Sequence, residues 1–188
     1  MFIINYDCKI FSCKGDQMTK EEFLENIKGK FQFYYDLKDQ PDIVPFPIDF
    51  YAHFYQANEK YFGLKSFNIW RMTHDEHCFV KYYENVSKDD VNNMIESLKS
   101  GINYLVEPNE DHMKTFVTGV FFTENRPLES LEKYIEKFKY CKVYKFYLQG
   151  WCDIRLILID LSSRKVYTNK AGKEVQKFYQ HLVEDNNK

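Results

Sequence analysis

The sharpest local feature of the chain is the run Thr73-His74-Asp75-Glu76-His77-Cys78. Two imidazoles, two carboxylates and a thiol are all ligand types for a divalent transition metal. If Asp75-Glu76 forms the two-residue turn of a hairpin, His74 and His77 become cross-strand partners. Their Cβ atoms would then lie about 4.5–5.5 Å apart, near enough to share an ion. Asp-Glu suits such a turn poorly, because the turn needs positive φ and favours glycine. A solvated polar tip is the plainer reading. A metal centre needs a third ligand, expected from His53 or His112. His74, His77 and His53 are thus the metal candidates, and a divalent ion is the one cofactor the residues suggest.

Three other stretches could carry chemistry. Asp49, Tyr51, His53 and Tyr55 alternate with Ile48, Phe50, Ala52 and Phe54, so they share the polar face of a strand. A histidine among tyrosines can move protons near neutral pH, which makes Tyr51, His53 and Tyr55 ligand-binding candidates. The same face could equally be ordinary solvent or interface surface. In Trp151-Cys152-Asp153-Ile154-Arg155, charges enter an otherwise apolar strand and must pair or have a task. Asp153 and Arg155 point the same way, either into an ion-pair network that fixes strand register or towards a ligand carboxylate or phosphate. Of only four arginines, Arg71 and Arg155 are the most informative. Finally, Lys133, Lys137, Lys139, Lys142 and Lys145 interleave with Tyr134, Phe138, Tyr140 and Tyr144, a pattern that suits single-stranded nucleic acid. Glu132 and Glu136 dilute that charge, and a solvated helix face explains it more simply. Lys170-Ala171-Gly172-Lys173-Glu174 is a helix start with a lone glycine, not a phosphate loop. No G-x-S-x-G or H-E-x-x-H occurs, and no ordering of residues pairs a cysteine nucleophile with a base.

The elements that must position these groups follow from composition and periodicity. The chain has 188 residues, 44% hydrophobic and 29% charged, with a net charge of −2. That is globular composition for one domain and excludes a globally basic nucleic-acid binder. No apolar run approaches the roughly 18 residues of a membrane helix, so no membrane partner is expected. Seventeen Phe, fifteen Tyr and two Trp supply a large core and half-buried rings with wet edges. Five scattered cysteines without C-x-x-C read as reduced thiols in a cytoplasm.

Thr19 and Glu22 form a capping box for a first helix over about 19–38, with Phe23, Ile27, Phe31 and Tyr34/Tyr35 on its apolar side. Pro41, Pro45 and Pro47 mark an extended linker. The period then becomes two, and strands at about 48–56, 61–73 and 77–84 read as an antiparallel meander, with a turn at Ala57–Lys60. Ser87 caps a second helix with stripe Val91, Met94, Ile95, Leu98, Ile102 and Leu105. A strand over Lys114–Thr123, a helix after Pro127, strands at 141–149, 152–160 and 164–168, and a last helix capped by Asn169 complete the order α-βββ-α-β-α-βββ-α. The expected fold class is α+β: a mixed, largely antiparallel sheet with helices packed on a face. Met18-Thr19-Lys20-Glu21-Glu22 reads as a second chain start, which would make residues 1–17 an N-terminal extension and 18–188 the single α+β domain; the alternative is a genuine N-terminal strand, since Phe2, Ile3, Ile4, Ile10 and Phe11 could pack.

The stretches Thr118-Gly119-Val120, Gly150-Trp151-Cys152-Asp153-Ile154-Arg155, Thr168-Asn169-Lys170-Ala171-Gly172-Lys173-Glu174 and Glu76-His77-Cys78-Phe79-Val80 resemble an uncharacterised prokaryotic family of unknown function, over about 19–182. The resemblance implies no activity. The β-α-β order from Lys114 to Leu148 also resembles the second half of restriction-endonuclease-like folds. Those enzymes need an Asp and a downstream Glu-x-Lys on adjacent strands to hold a divalent ion. No Glu-x-Lys follows a strand Asp here, and Asp49 with Glu59-Lys60 is wrongly spaced.

The residues therefore favour a non-enzymatic domain that binds a ligand or a protein, and the expected partner is a second copy of itself, in a homo-oligomer, or another protein. A surplus of rings on strand faces is the motive, since exposed aromatic patches tend to be interfaces. The alternatives are a metal-dependent hydrolase or nuclease built on the histidines, and single-stranded nucleic-acid binding.

Overall fold

The structure is a computed structural model that describes residues 9–10, 18–42, 44–61 and 68–184; the side chains of 9–10, 18, 58–61 and 68–72 lie outside that description. Apart from the backbone of Lys9–Ile10, so does the expected extension 1–17. A short strand β1 (Lys9–Ile10) pairs with β2 (Met18–Thr19). There follow α1 (Lys20–Phe31), β3 (Asp36–Lys38), β4 (Phe50–Tyr61), β5 (Asn68–Tyr83), α2 (Lys88–Leu105), β6 (His112–Thr123), α3 (Glu129–Lys137), β7 (Cys141–Val143), β8 (Trp151–Asp160), β9 (Lys165–Thr168) and α4 (Gln176–Glu184). No helix among the described residues is long and apolar enough to cross a membrane.

The main sheet runs β3-β4-β5-β6-β8-β7, with β9 also on β8. β3, β4 and β5 form an antiparallel meander. β5, β6 and β8 are parallel, joined through α2 and α3. β7 and β9 both pair antiparallel with the outer edge of β8, at its two ends. The fold is thus α+β with a mixed sheet.

Pleating sends alternate residues to opposite faces, and both faces are covered. Phe23, Ile27 and Phe31 of α1 and Tyr179, Leu182 and Val183 of α4 pack on Ala52, Cys78, Val80, Val120, Phe122, Ile157 and Ile159. Val91, Met94, Leu98 and Ile102 of α2 and Leu131 and Ile135 of α3 pack on Phe79, Val117, Phe121, Ile154, Leu156 and Leu158. A strand covered on both sides becomes continuously apolar, which is why β6 and β8 carry long unbroken buried runs. Both expected capping boxes form, Thr19 with Glu22 and Ser87 with Asp90.

Several boundaries differ from the sequence expectation. The strand expected over 141–149 is only Cys141–Val143, because the backbone leaves the sheet for a tight turn at Lys145–Tyr147. Asn169 caps a short 3-10 turn, Lys170–Gly172, and the last helix starts only at Gln176. The first helix stops at Phe31 rather than continuing to about 38. Tyr35 prolongs the helical spacing only because its ring packs beside Phe31, with centroids 5.4 Å apart, while Asp36–Lys38 has already turned to pair with β4. The expected turn at Ala57–Lys60 is strand, and the meander's connection falls at 62–67, outside the described residues. The expected hairpin at 74–77 does not exist. That segment is the middle of one long strand, paired with β4 on one side and β6 on the other.

Candidate metal centre

The uninterrupted β5 decides which histidines meet. Residues one apart on a strand point to opposite faces, so the odd and even members of His74-Asp75-Glu76-His77-Cys78 part company. Asp75 and His77 project to the α2 side, and His74, Glu76 and Cys78 to the α1/α4 side. The antiparallel register sets His53 of β4 directly opposite His77 and Tyr55 opposite Asp75. The pairing of His74 with His77 is therefore corrected to a pairing of His53 with His77. His74 instead lies edge-on to Phe54 and Phe116, at centroid distances of 5.7 and 5.5 Å.

His53, Asp75 and His77 offer one ligand atom each, all within 4.8 Å of one another. The two imidazoles stack with centroids 4.7 Å apart. His53 Nε2 lies 2.6 Å from Asp75 Oδ1, and its Nδ1 lies 2.7 Å from Lys38 Nζ. An ammonium can only donate, so His53 Nδ1 accepts from Lys38 and Nε2–H donates to Asp75. His77 Nδ1 is held by the Tyr51 hydroxyl at 2.6 Å. Its Nε2 is buried, makes no hydrogen bond, and stands 3.4 Å from Asp75 Oδ2. Two donors on one tetrahedral ion at about 2.0–2.1 Å are themselves about 3.3 Å apart, so this pair already has the separation of ligands on a shared ion. The side chains of His53, Asp75 and His77 are 16%, 21% and 8% exposed, which leaves the cluster open to solvent on one side.

The cluster sets an ionised carboxylate beside the Lys38 ammonium. Burial works against the Asp75 charge, but the His53 hydrogen bond and the nearness of His77 outweigh it and hold the carboxyl well below the usual carboxylate range. Burial first, and then the Asp75 charge, push the Tyr51 phenol well above its usual range. Tyr51 therefore keeps its proton and can orient His77, as outer groups commonly do for metal-bound imidazoles.

The even-numbered residues build a different structure on the opposite face. Arg155, 1% exposed, places Nη1 2.7 Å from Glu76 Oε2, also pairs with Glu174, and donates from Nε to the Ala171 carbonyl at 3.0 Å. Glu76 further accepts from the Thr118 and Tyr35 hydroxyls, at 2.7 and 3.3 Å. This network ties β5, β6 and β8 to the turn before α4. Asp153 shares the Arg155 side of β8, where it accepts the Trp151 indole N–H at 3.1 Å.

The remaining candidates scatter. Tyr55 is exposed. Arg71 lies on β5 opposite Glu59, and its side chain is outside the described residues. His112 is taken by the Gln149 carbonyl and the Thr115 hydroxyl, at 2.7 and 3.0 Å. Asp49, just before β4, meets Lys20 at 3.3 Å and Lys81 at 3.8 Å. A site of the restriction-endonuclease-like kind would need a carboxylate two residues before Lys81, where this chain has the buried Phe79. Cys78 and Cys152 are buried free thiols, and burial pushes Cys152 up to about 12. Of the cluster, Asp75 is one of the ligand types that the sequence run offers, whereas Lys38 is not among the site residues expected from sequence. The alternation from Lys38 to His53 carried no signal because β3 has only three residues.

Fold and site together define an α+β domain with a cluster of two histidines and one carboxylate on a mixed sheet. The chain belongs to the family described as Domain of unknown function (DUF8052), whose family model matches residues 19–181. That is the span over which the sequence resembles an uncharacterised family. No curated protein and no solved structure matches the chain.

Proposed function

We propose that the domain is a ligand-binding module whose ligand is a divalent transition-metal ion of the zinc class. His53 Nε2, His77 Nε2 and the Asp75 carboxylate hold the ion. The observation that carries this reading is the convergence of one ligand atom each from His53, Asp75 and His77 within 4.8 Å, with Tyr51 fixing the other ring nitrogen of His77. Buried His77 Nε2 makes no hydrogen bond of normal geometry and has only the Asp75 carboxylate near it, at 3.4 Å, a gap that an ion held by both would close.

Three protein ligands leave a fourth position for water, as in hydrolytic zinc sites. That supports a second reading, metal-dependent hydrolysis. The finer expectation of self-association has one support, the exposed Phe146, Tyr147 and Leu148 at the tip between β7 and β8.

The test is titration of metal-free protein with Co²⁺, read by visible absorption, beside the variants His77→Ala and His53→Ala. The reading expects one ion per chain, tetrahedral d–d bands without thiolate charge transfer, and loss of at least tenfold in affinity in each variant. Equal binding by His77→Ala, or strong thiolate bands, would overturn it.

A further inference from the structure

We propose that the cavity bounded by β6, β7, β8 and the turn before α4 binds a small phosphorylated ligand with a planar ring, of the nucleotide class. The cavity has a volume of about 660 Å³, within the few hundred to one thousand Å³ typical of small-molecule sites. Three stretches distant in the chain converge on it: Phe138 to Cys141, Trp151 to Asp153, and Asn169 to Glu174. Each belongs to a segment that stands out in the sequence, and none takes part in the metal cluster.

The walls divide by chemistry. Phe116 is already engaged, with the Arg155 guanidinium 3.3 Å from its ring centroid and Lys114 Nζ at 4.7 Å. Phe138, Tyr140 and Trp151 also line the cavity and offer ring surface to a planar group, although Lys99 Nζ lies 5.9 Å from the Tyr140 ring centroid and Tyr147 packs edge-on to Trp151 at 6.1 Å. Lys114, Lys139, Lys170 and Lys173 stand around them. The two carboxylates of the lining are outnumbered by these four lysines and are engaged mostly elsewhere. Glu174 is held by Arg155 and reaches Lys114 only at 3.9 Å. Asp153 accepts from Trp151 and bonds Cys141. Lys139 and Lys170 have no ion-pair partner among the described residues, though the chain as a whole is acidic by two charges. Burial first, and Arg155 next, favour loss of the Lys114 proton, a pressure that a bound anion would relieve. Cationic groups beside an aromatic wall recognise an anion joined to a ring, whereas either half alone would use half of the site.

The experiment is calorimetric titration of the full chain with adenosine 5′-monophosphate, adenosine and inorganic phosphate, together with tryptophan fluorescence. The proposal expects binding of the nucleotide with a change in Trp151 emission, and at least tenfold weaker binding of adenosine and of phosphate. The double variant Lys139→Glu/Lys170→Glu, both residues exposed, should weaken nucleotide binding at least tenfold while leaving the thermal unfolding curve and Co²⁺ stoichiometry unchanged. Nucleotide binding that the double variant leaves intact, phosphate binding as tight as the nucleotide's, or no nucleotide binding at millimolar concentration would each overturn it.

Discussion

His53 is the residue at which the metal reading makes its sharpest demand. With Lys38 donating to Nδ1, the ring carries its proton on Nε2. An ion bound at Nε2 needs that proton on Nδ1 instead, so Lys38 must give way. Its ammonium also repels the ion. Lys38→Met is therefore expected to tighten Co²⁺ or Zn²⁺ binding by roughly five- to tenfold, about 1 kcal/mol at a partly exposed site. Calorimetry checks this, and weaker binding by Lys38→Met would show that Lys38 supports the cluster and does not oppose it.

Glu76 makes the opposite kind of prediction, for stability. Its charge is buried against Arg155, and removing one partner of a buried pair is far more harmful than replacing both. Glu76→Gln is expected to lose about 3 kcal/mol, the low end for a broken buried pair because Arg155 keeps Glu174. Glu76→Leu combined with Arg155→Met should recover most of that loss. Denaturant midpoints decide between this and simple additivity of the two changes.

At the scale of elements, the β7–β8 connection stands out. Lys145, Phe146 and Tyr147 have φ of 42°, 53° and 69°, three successive non-glycine residues in the left-handed region. The turn is closed by Leu148 N–H to the Lys145 carbonyl at 3.0 Å and Gly150 N–H to the Tyr147 carbonyl at 3.2 Å. Each such residue stores about 1–2 kcal/mol relative to right-handed backbone. Phe146 is 96% exposed and gains nothing by packing within one chain. Phe146→Gly is therefore expected to be neutral or to stabilise by about 0.5–1 kcal/mol. Gly150 shares the positive φ but not the space: a Cβ there would meet the Met113 carbonyl oxygen at 2.3 Å. Gly150→Ala should destabilise by about 2–4 kcal/mol, through strain and backbone clash together. Thermal melts of the two variants should move in opposite directions, or Phe146→Gly not at all.

For the molecule as a whole, what could be read from sequence follows from how local each signal is. Both capping boxes, the stripe of α2 and the apolar runs of β6 and β8 are written in adjacent residues, and they appear where expected. The candidate site was half legible. His53 and His77 were named, but the hairpin that would have brought His74 beside His77 misjudged a segment whose flanks are paired on both sides. No glycine or asparagine separates His74 from His77 to take the positive φ of a two-residue turn, and alternation alone puts them on opposite faces. Lys38 and Asp75 could not be placed, because only the register of β3 on β4 and of β4 on β5 brings them to His53. Arg155 was read as either a register-fixing ion pair or a ligand group. It pairs with Glu76 across the sheet, a contact between residues 79 positions apart.

X-ray absorption at the zinc edge of the zinc-loaded chain tests the central claim most directly. The account predicts a first shell of nitrogen and oxygen only, at about 2.0–2.1 Å, with the outer scattering of two imidazoles. A sulfur shell near 2.3 Å, or scattering from fewer than two imidazoles, would contradict it.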